Sequence, residues 1–175
     1  MNRKLGLATL ALAAAWLAAP AAAQQPAPEH HAMKASKGFS QLTPLVGEWE
    51  GQSPDGKAVR ASYRIVSGGA ALLEELRMGA DPEMVTVYHP DGDRVAVTHF
   101  CSSGNQPQMQ TAAITGDAKQ FSFDFVRATN LGSPADGHMH HLTVTLVDKD
   151  HFTEEWTWQE GGMAHPALFR FTRKG

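Results

Sequence analysis

Residues 85–101, VTVYHPDGDRVAVTHFC, decide the fold of this chain. Apolar and polar side chains alternate through residues 85–88 and again through residues 95–101, which is the period of half-buried β-strands. Between the two runs, residues 90–93 contain an Asp-Gly pair, a strong signal for a tight hairpin turn. The stretch therefore predicts two antiparallel strands joined by a short connection.

The same alternation recurs over most of the remaining chain. Further runs of this kind lie at residues 45–52, 59–65, 72–78, 108–114, 121–125, 140–146, 152–158 and 168–172. Turn-forming Gly, Asp and Pro residues separate them, and no helical stretch intervenes. The pattern predicts an all-β fold, an antiparallel up-and-down β-barrel of about ten strands. Only residues 127–136 fit no strand, and we expect a loop or a helical turn there.

The first 23 residues have the order of a secretory signal peptide. Arg3 and Lys4 precede an apolar run at residues 5–17, and small alanines at residues 21–23 provide the cleavage site. The apolar run is too short to span a bilayer. We expect cleavage after Ala23, a periplasmic or secreted product, and no stable membrane insertion after cleavage.

The mature chain is expected to hold one domain. Residues 24–38 are rich in Gln, Pro, Ala and His and are interpreted as a flexible leader. Residues 39–175 are enough for one hydrophobic core and are assigned to the barrel. Removing Arg3 and Lys4 leaves 13 basic and 18 acidic side chains, so the formal net charge moves from −3 to −5. That charge argues against a nucleic-acid partner.

The segment LVGEWEG at residues 45–51 resembles the first strand of calycin-type barrels: lipocalins, fatty-acid-binding proteins and haem-binding nitrobindins. The resemblance implies that Trp49 plugs one end of the barrel, while Gly47 and Gly51 let the strand bend over it. Residues 98–107 also resemble uncharacterised exported bacterial proteins of the lipocalin-like kind. The resemblance further implies an internal cavity for a small, mostly apolar ligand.

Nitrobindins hold haem through a histidine near the C-terminus, so haem is the cofactor that the resemblance raises. His165 is the histidine of the last strand region here, and it precedes Pro166. This departs from the nitrobindin pattern.

Alternation places several polar side chains on the same face as large apolar ones. A buried carboxylate or imidazole needs partners, and such groups often mark a ligand site. Glu74 is interpreted as a structural carboxylate that faces water at a barrel end. A polar loop after the fifth predicted strand is expected to border the barrel mouth. The residues predicted to bind a ligand are His99, Cys101, Asn105, Gln106, His140, Glu154 and Trp156.

Cys101 is the only cysteine, so no internal disulfide can form. Its favoured interpretation is a small buried apolar side chain, and a metal or haem ligand, a reactive thiol and an intermolecular disulfide are alternatives. The metal-ligand candidates are His138, His140 and His165. His138 and His140 have a spacing at which two imidazoles on one strand can chelate zinc or copper. A solvated histidine cluster is the alternative.

No serine-nucleophile, zinc-protease, paired-cysteine or phosphate-loop motif is present, which favours a binding protein over an enzyme. The first hypothesis is an exported binding protein for a small apolar or amphipathic molecule inside the barrel. A haem- or metal-binding barrel is the alternative. The second alternative is an enzyme that uses an interior pair, Glu154 and His99, as acid and base.

Overall fold

A computed structural model describes residues 36–175 of the chain. The predicted signal peptide and residues 24–35 of the predicted leader lie outside the described residues. A short helix α1 (Lys37–Ser40) and a 3-10 turn (Thr43–Leu45) precede the strands, and a second 3-10 turn (Ser67–Gly69) connects two of them. The strands are β1 (Gly47–Gln52), β2 (Ala58–Val66), β3 (Ala71–Met78), β4 (Met84–Asp91), β5 (Arg94–Phe100), β6 (Gln106–Thr111), β7 (Gln120–Thr129), β8 (His138–Leu146), β9 (His151–Glu160) and β10 (Met163–Arg173).

The ten strands form one closed antiparallel barrel in which each strand pairs with its neighbours in sequence. The last strand closes the barrel on the first, through register pairs that run from Trp49 with Arg173 to Gln52 with Arg170. Closure satisfies strand edges that an open sheet would leave exposed. The predicted all-β, up-and-down barrel of about ten strands is confirmed.

Among residues 36–175, no helix has the length and apolar character needed to cross a membrane.

One end of the barrel is covered by the opening of β1 and the turns before it. Trp49 is 2% exposed, and its indole Nε1 donates a hydrogen bond to the Leu45 carbonyl at 2.7 Å. The Arg173 guanidinium lies 4.0 Å from the centre of the Trp49 ring, a cation–π contact. At Gly51 any Cβ would overlap the Arg170 carbonyl of β10, so only glycine allows this close strand approach. The arrangement is consistent with a calycin-like barrel.

Helical structure begins slightly before residue 39, where the predicted barrel domain starts. The Ser36 hydroxyl accepts a hydrogen bond from the Phe39 amide and caps α1. Phe39 and Leu42 are buried in the main hydrophobic core. These contacts explain why residues 36–38 join the folded part rather than the leader.

The inward face of β4 carries Met84, Thr86 and Tyr88, all of which are buried, while Val85 and Val87 point outward and are half-buried. The polar half of the alternation therefore faces the core in this strand. On β3 and β9 the inward positions include Glu74 and Glu154. The barrel consequently encloses a group of polar side chains among aromatic ones.

Two β-bulges interrupt the regular register on neighbouring strands. Val126 is the extra residue of β7 against β6, since Met109 pairs with Phe125 and Gln108 with Arg127. His140 is the extra residue of β8 against β9, since register pairs involve Met139 and then His141. Bulges bend strands and are over-represented beside functional sites.

The expectation of an irregular segment over residues 127–136 is partly wrong. Strand β7 continues to Thr129, and the connection to β8 spans residues 130–137. The physical reason is the bulge at Val126, which shifts the alternation by one residue and hides the end of the strand from a pattern with period two.

Candidate functional site

A row of polar side chains crosses the barrel interior on four adjacent strands. Tyr63 on β2 lies opposite Glu74 on β3, Glu74 lies opposite Thr86 on β4, and Thr86 lies opposite His99 on β5. All four side chains are buried. Direct cross-strand neighbours on one face are close enough to interact, so strand register alone assembles the row.

Hydrogen bonds link this row to Tyr88 and to the far wall of the barrel. The Tyr63 hydroxyl donates to Glu154 Oε1 at 2.5 Å, and the Trp156 indole donates to Glu154 Oε2 at 3.0 Å. The Tyr88 hydroxyl donates to Glu74 Oε2 at 2.9 Å. Both oxygens of Glu154 therefore have partners, whereas Glu74 Oε1 has none.

His99 lies beside this carboxyl pair. Its Nδ1 is 3.0 Å from the Thr86 hydroxyl oxygen, its ring lies 4.7 Å from the Trp156 ring, and its Nε2 has no partner. Burial lowers the pKa of His99 to about 4. The imidazole is therefore neutral at neutral pH.

Burial also controls the protonation of the two carboxyl groups. It raises the pKa of Glu74 well above its ordinary value, and the neighbouring Glu154 carboxylate raises it further. Burial likewise raises the pKa of Glu154, against hydrogen bonds from Tyr63 and Trp156 that lower it. The buried polar set of residues 36–175 contains no lysine or arginine to offset these carboxylates. We call Tyr63, Glu74, Thr86, Tyr88, His99, Glu154 and Trp156 the interior cluster.

The interior cluster is sealed by its surroundings. Glu74 and Glu154 are both 0% exposed, and neither lines the pockets of about 560, 340 and 310 Å³ bounded by described residues. The expectation that Glu74 faces water is wrong, because its position on β3 points into the closed barrel. The predicted inward position of His99, Glu154 and Trp156 is correct, and the structure brings these three together.

A second feature opens where β7 separates from β8. The two strands pair from Gln120 with Thr145 to Asp124 with His141, and no further pair between them follows in the described chain. The bulges at Val126 and His140 lie just beyond this last pair. They turn the two strand ends apart and leave a gap in the barrel wall, which we call the β7–β8 cleft.

The β7–β8 cleft forms a pocket of about 560 Å³ that is open to solvent. Strand β7, strand β8, the connection between them and Gln159 of β9 contribute its walls. Such a volume lies within the range typical of small-molecule sites, which combine apolar walls with a few polar groups. The lining consists of Phe125, Val126, Arg127, Ala128, Leu131, Gly132, Ser133, Pro134, His138, His140 and Gln159.

Two imidazoles and an aromatic ring form one wall of the cleft. His138 Nε2 lies 3.1 Å from His140 Nδ1, and the Phe125 ring stacks on His140 with centroids 4.6 Å apart. Burial lowers the pKa of His140, and the neighbouring His138 and His141 lower it further. His140, predicted on the inward face with Leu142, is half-buried at the bulge and lines the cleft beside Phe125, while Leu142 is fully buried.

The polar loop after β5 braces the barrel next to this cleft. Asn105 is buried, and its amide nitrogen donates to the Gly137 carbonyl at 2.9 Å, while its Oδ1 has no partner. Gln106 donates to the Gly104 carbonyl and accepts from the Thr129 hydroxyl of β7. These bonds tie the loop to both sides of the β7–β8 connection. Contact of Asn105 or Gln106 with a ligand stays a prediction.

Cys101 is half-buried and packs against the core at the end of β5. His165 is exposed on β10, opposite Trp158. Within residues 36–175, no group of three or more His, Cys, Asp or Glu side chains is placed to hold a metal ion.

Sequence reasoning missed much of both features. In the interior cluster it omitted Tyr63, Thr86 and Tyr88. Tyr63 shares the buried face of β2 with Val59 and Ala61. The inward position of Thr86 and Tyr88 follows once the structure shows which face of β4 meets the core. In the cleft it omitted Phe125, Arg127 and Leu131. No local signal marks these three, because the gap depends on two bulges that only strand pairing reveals.

Fold and site together define a class: a closed ten-stranded antiparallel barrel with a sealed polar interior and a split wall. The barrel is similar to the crystal structure of a protein of unknown function from the DUF3598 family of Nostoc punctiforme PCC 73102, with a TM-score of 0.52 and 13% sequence identity. The match covers 76% of this chain and 49% of that one, so the chain spans about half the length of this neighbour. At this identity the likeness establishes the fold alone. No family model and no curated protein matches the chain.

Proposed function

We propose that this protein is an exported binding protein for a small amphipathic molecule, and that the β7–β8 cleft holds the ligand. The observation that carries the proposal is the pocket of about 560 Å³ that opens where the paired bulges part β7 from β8. A regular barrel would close at this height by continued strand pairing. Two bulges on adjacent strands at one level favour a built opening.

The chemistry of the lining suits an amphipathic ligand. Phe125, Leu131 and Pro134 offer apolar surface for a hydrocarbon or aromatic body. Arg127 lines the same pocket, and its Nε donates to the Gln108 side chain at 2.8 Å, which orients the guanidinium. A carboxylate or sulfonate head beside Arg127 would gain a charge-assisted contact.

The test uses the anionic amphipathic dye 1-anilinonaphthalene-8-sulfonate, followed by displacement with dodecanoate. Leu131→Asp adds a charge to the apolar wall and is expected to weaken dye binding at least tenfold, about 1.4 kcal/mol. Val147→Asp is the matched control, because Val147 is an exposed apolar residue outside the cleft. Equal dye binding by the wild type and Leu131→Asp, or an equal loss in Val147→Asp, would refute the cleft as the site.

Export is a separate part of the proposal and rests on the sequence of residues 1–23. N-terminal sequencing of the protein recovered from the periplasm or the medium is expected to begin at Gln24. A product that retains Met1, or that stays in the cytoplasm, would contradict export.

An enzyme based on Glu154 and His99 receives less support. Both side chains are buried, and both oxygens of Glu154 are occupied by Tyr63 and Trp156. A substrate would have to displace the packed interior to reach them. These residues are better suited to holding the barrel walls together than to proton transfer.

A further inference from the structure

We propose that His138 and His140 form a two-histidine chelate for a borderline transition-metal ion such as Cu²⁺ or Zn²⁺ at the wall of the β7–β8 cleft. The protein supplies two imidazole nitrogens, and water or a donor atom of a bound ligand completes the coordination. The site lies in the cleft of the proposed function, but the two imidazoles need no amphipathic ligand. The two proposals can therefore fail separately.

The first argument is the distance between the two nitrogens. His138 Nε2 and His140 Nδ1 are 3.1 Å apart. With metal–nitrogen bonds of about 2.0–2.1 Å in a tetrahedral site, two ligand nitrogens are about 3.3 Å apart. Without an ion, His140 Nδ1–H donates to His138 Nε2 across this distance. Binding of the ion replaces this hydrogen bond: the proton leaves His140 Nδ1, His140 Nε2 takes a proton from water, and the two rings turn so that both lone pairs converge on the ion.

The second argument is the orientation of the His138 ring. His138 Nδ1 lies 2.8 Å from the Asp136 carbonyl oxygen, which can only accept, so Nδ1 carries the proton. In the neutral ring, Nε2 then presents its lone pair toward His140. Metal-binding histidines typically donate their other ring N–H to a carbonyl or carboxylate in this way, which fixes tautomer and direction.

The third argument is the rigid placement of the pair. The bulge at His140 interrupts the β8–β9 register and brings the rings of residues two apart into contact. Phe125 packs on both, with centroids 4.8 Å from His138 and 4.6 Å from His140. His138 itself is 3% exposed. A pair that is already held in place loses little conformational entropy when it binds an ion.

Imidazole nitrogen favours zinc, copper and nickel over magnesium or calcium, which choose oxygen ligands. Among residues 36–175 no third His, Cys, Asp or Glu completes the set. The ion would therefore keep exchangeable positions that face the cleft. That arrangement suits a ligand whose carboxylate or other donor group binds the metal directly.

The test is a Cu²⁺ titration followed by electron paramagnetic resonance and calorimetry. It is carried out in a His30→Ala/His31→Ala background, so that these two adjacent histidines of the predicted leader contribute nothing to the copper signal. The expected signal is an axial Cu²⁺ spectrum with hyperfine splitting from two imidazole nitrogens. His140→Ala, and separately His138→Ala, should each lower the affinity at least tenfold.

The controls separate this site from copper held elsewhere. His89→Ala and His165→Ala remove exposed histidines outside the cleft and should leave the affinity unchanged. The double variant His138→Ala/His140→Ala gives the background, and circular dichroism verifies that each variant is folded. If His140→Ala binds copper as the wild type does, or if the wild-type spectrum equals that of the double variant, the proposal is overturned.

Leu131→Asp distinguishes the two proposals for the cleft. It should lose the dye yet retain the two-nitrogen copper signal. If the wild type binds the dye but gives no two-nitrogen copper signal, the metal site is refuted and the amphipathic-ligand site stands. If the wild type gives the copper signal but does not bind the dye, the amphipathic-ligand site is refuted and the metal site stands.

Discussion

The interior cluster and the β7–β8 cleft show two outcomes for polar side chains in one barrel. In the interior, regular register on β2 to β5 places Tyr63, Glu74, Thr86 and His99 side by side and closes the walls around them. At the cleft, two bulges end the pairing of β7 with β8, and the histidines line an opening. Continuous hydrogen bonding therefore encloses polar groups as partners of one another, whereas interrupted pairing places them beside an opening in the barrel wall.

The largest effect is expected when the interior cluster is broken at Glu154. Glu154→Ala removes the acceptor of the Tyr63 hydroxyl and the Trp156 indole and leaves a cavity. Two unpaired buried donors and the lost packing should lower the free energy of unfolding by about 3–5 kcal/mol. Urea unfolding followed by far-ultraviolet circular dichroism measures the change.

Glu155→Ala is the control for that experiment, since Glu155 is the exposed neighbour on β9. Folded Glu154→Ala should still bind the dye at the cleft. A similar stability for both variants would show that Glu154 does not stabilise the barrel. Loss of dye binding in folded Glu154→Ala would show that the interior cluster and the β7–β8 cleft act as one site.

The pH dependence of stability is expected to follow His99. Its pKa of about 4 in the folded chain lies below the ordinary value of 6.5, because burial disfavours the charged ring. The contribution of the neutral, buried His99 to the free energy of unfolding is fully present above pH 6.5. It is lost as the pH falls toward 4, because the histidine of the unfolded chain takes up a proton first. Between pH 7 and pH 5 the loss should be about 2 kcal/mol.

The raised pKa values of Glu74 and Glu154 act with the opposite sign, because the folded chain then holds protons that the unfolded chain releases above pH 4.5. The informative quantity is therefore the change in the free energy of unfolding between pH 7 and pH 5, measured by urea unfolding and compared between the wild type and His99→Gln. Parallel pH profiles for both proteins would show that His99 is not the neutral buried group described above.

A smaller effect is expected at Gly137, the residue directly before β8. A Cβ at this position would overlap the Trp158 ring of β9. Gly137→Ala should lower the free energy of unfolding by about 1–3 kcal/mol by overpacking, and should weaken dye binding because β8 starts there. Gly116→Ala is the control, since nothing lies within 4 Å of the position that its Cβ would take and its backbone does not require glycine. Equal stability of the two variants would argue that the start of β8 is adaptable.

The smallest effect concerns the backbone and leaves global stability unchanged. Amides of residues 138–140 that point toward β7 should exchange with deuterium at least tenfold faster than β7-facing amides of residues 142–145, because only the latter have strand partners. Hydrogen exchange followed by nuclear magnetic resonance measures this. Saturation with the dye should slow the fast group, and equal protection of both groups would mean that the gap is closed in solution.

The sequence predicted the barrel well because its signals are local. Alternation and turn residues indicated the strands, and the segment around Trp49 pointed to a plugged end, which the contacts with Leu45 and Arg173 support. The inward position of His99 and Glu154 followed from the same alternation. Glu74 was misjudged, because alternation identifies a face but not whether a strand position lies at the middle or at the end of the barrel.

The site could be predicted only in part. His138 and His140 were identified by their spacing, and the structure brings their ring nitrogens to 3.1 Å from each other, while metal binding stays a prediction. The position of His140 at a bulge was not foreseen, because a bulge is a property of two paired strands and leaves little trace in one. Arg127 and Leu131 carry no signal at all, since their role depends on the place where β7 and β8 part.

By itself, therefore, the sequence determined an all-β antiparallel barrel of about ten strands with buried glutamate and histidine. Periodicity and turn chemistry act over a few residues, and one chain is enough to read them. Tertiary structure alone decided that the interior is sealed and that the wall opens between β7 and β8. Both depend on register between residues far apart in the chain, because a shift of one residue in pairing reverses the side to which every following side chain points.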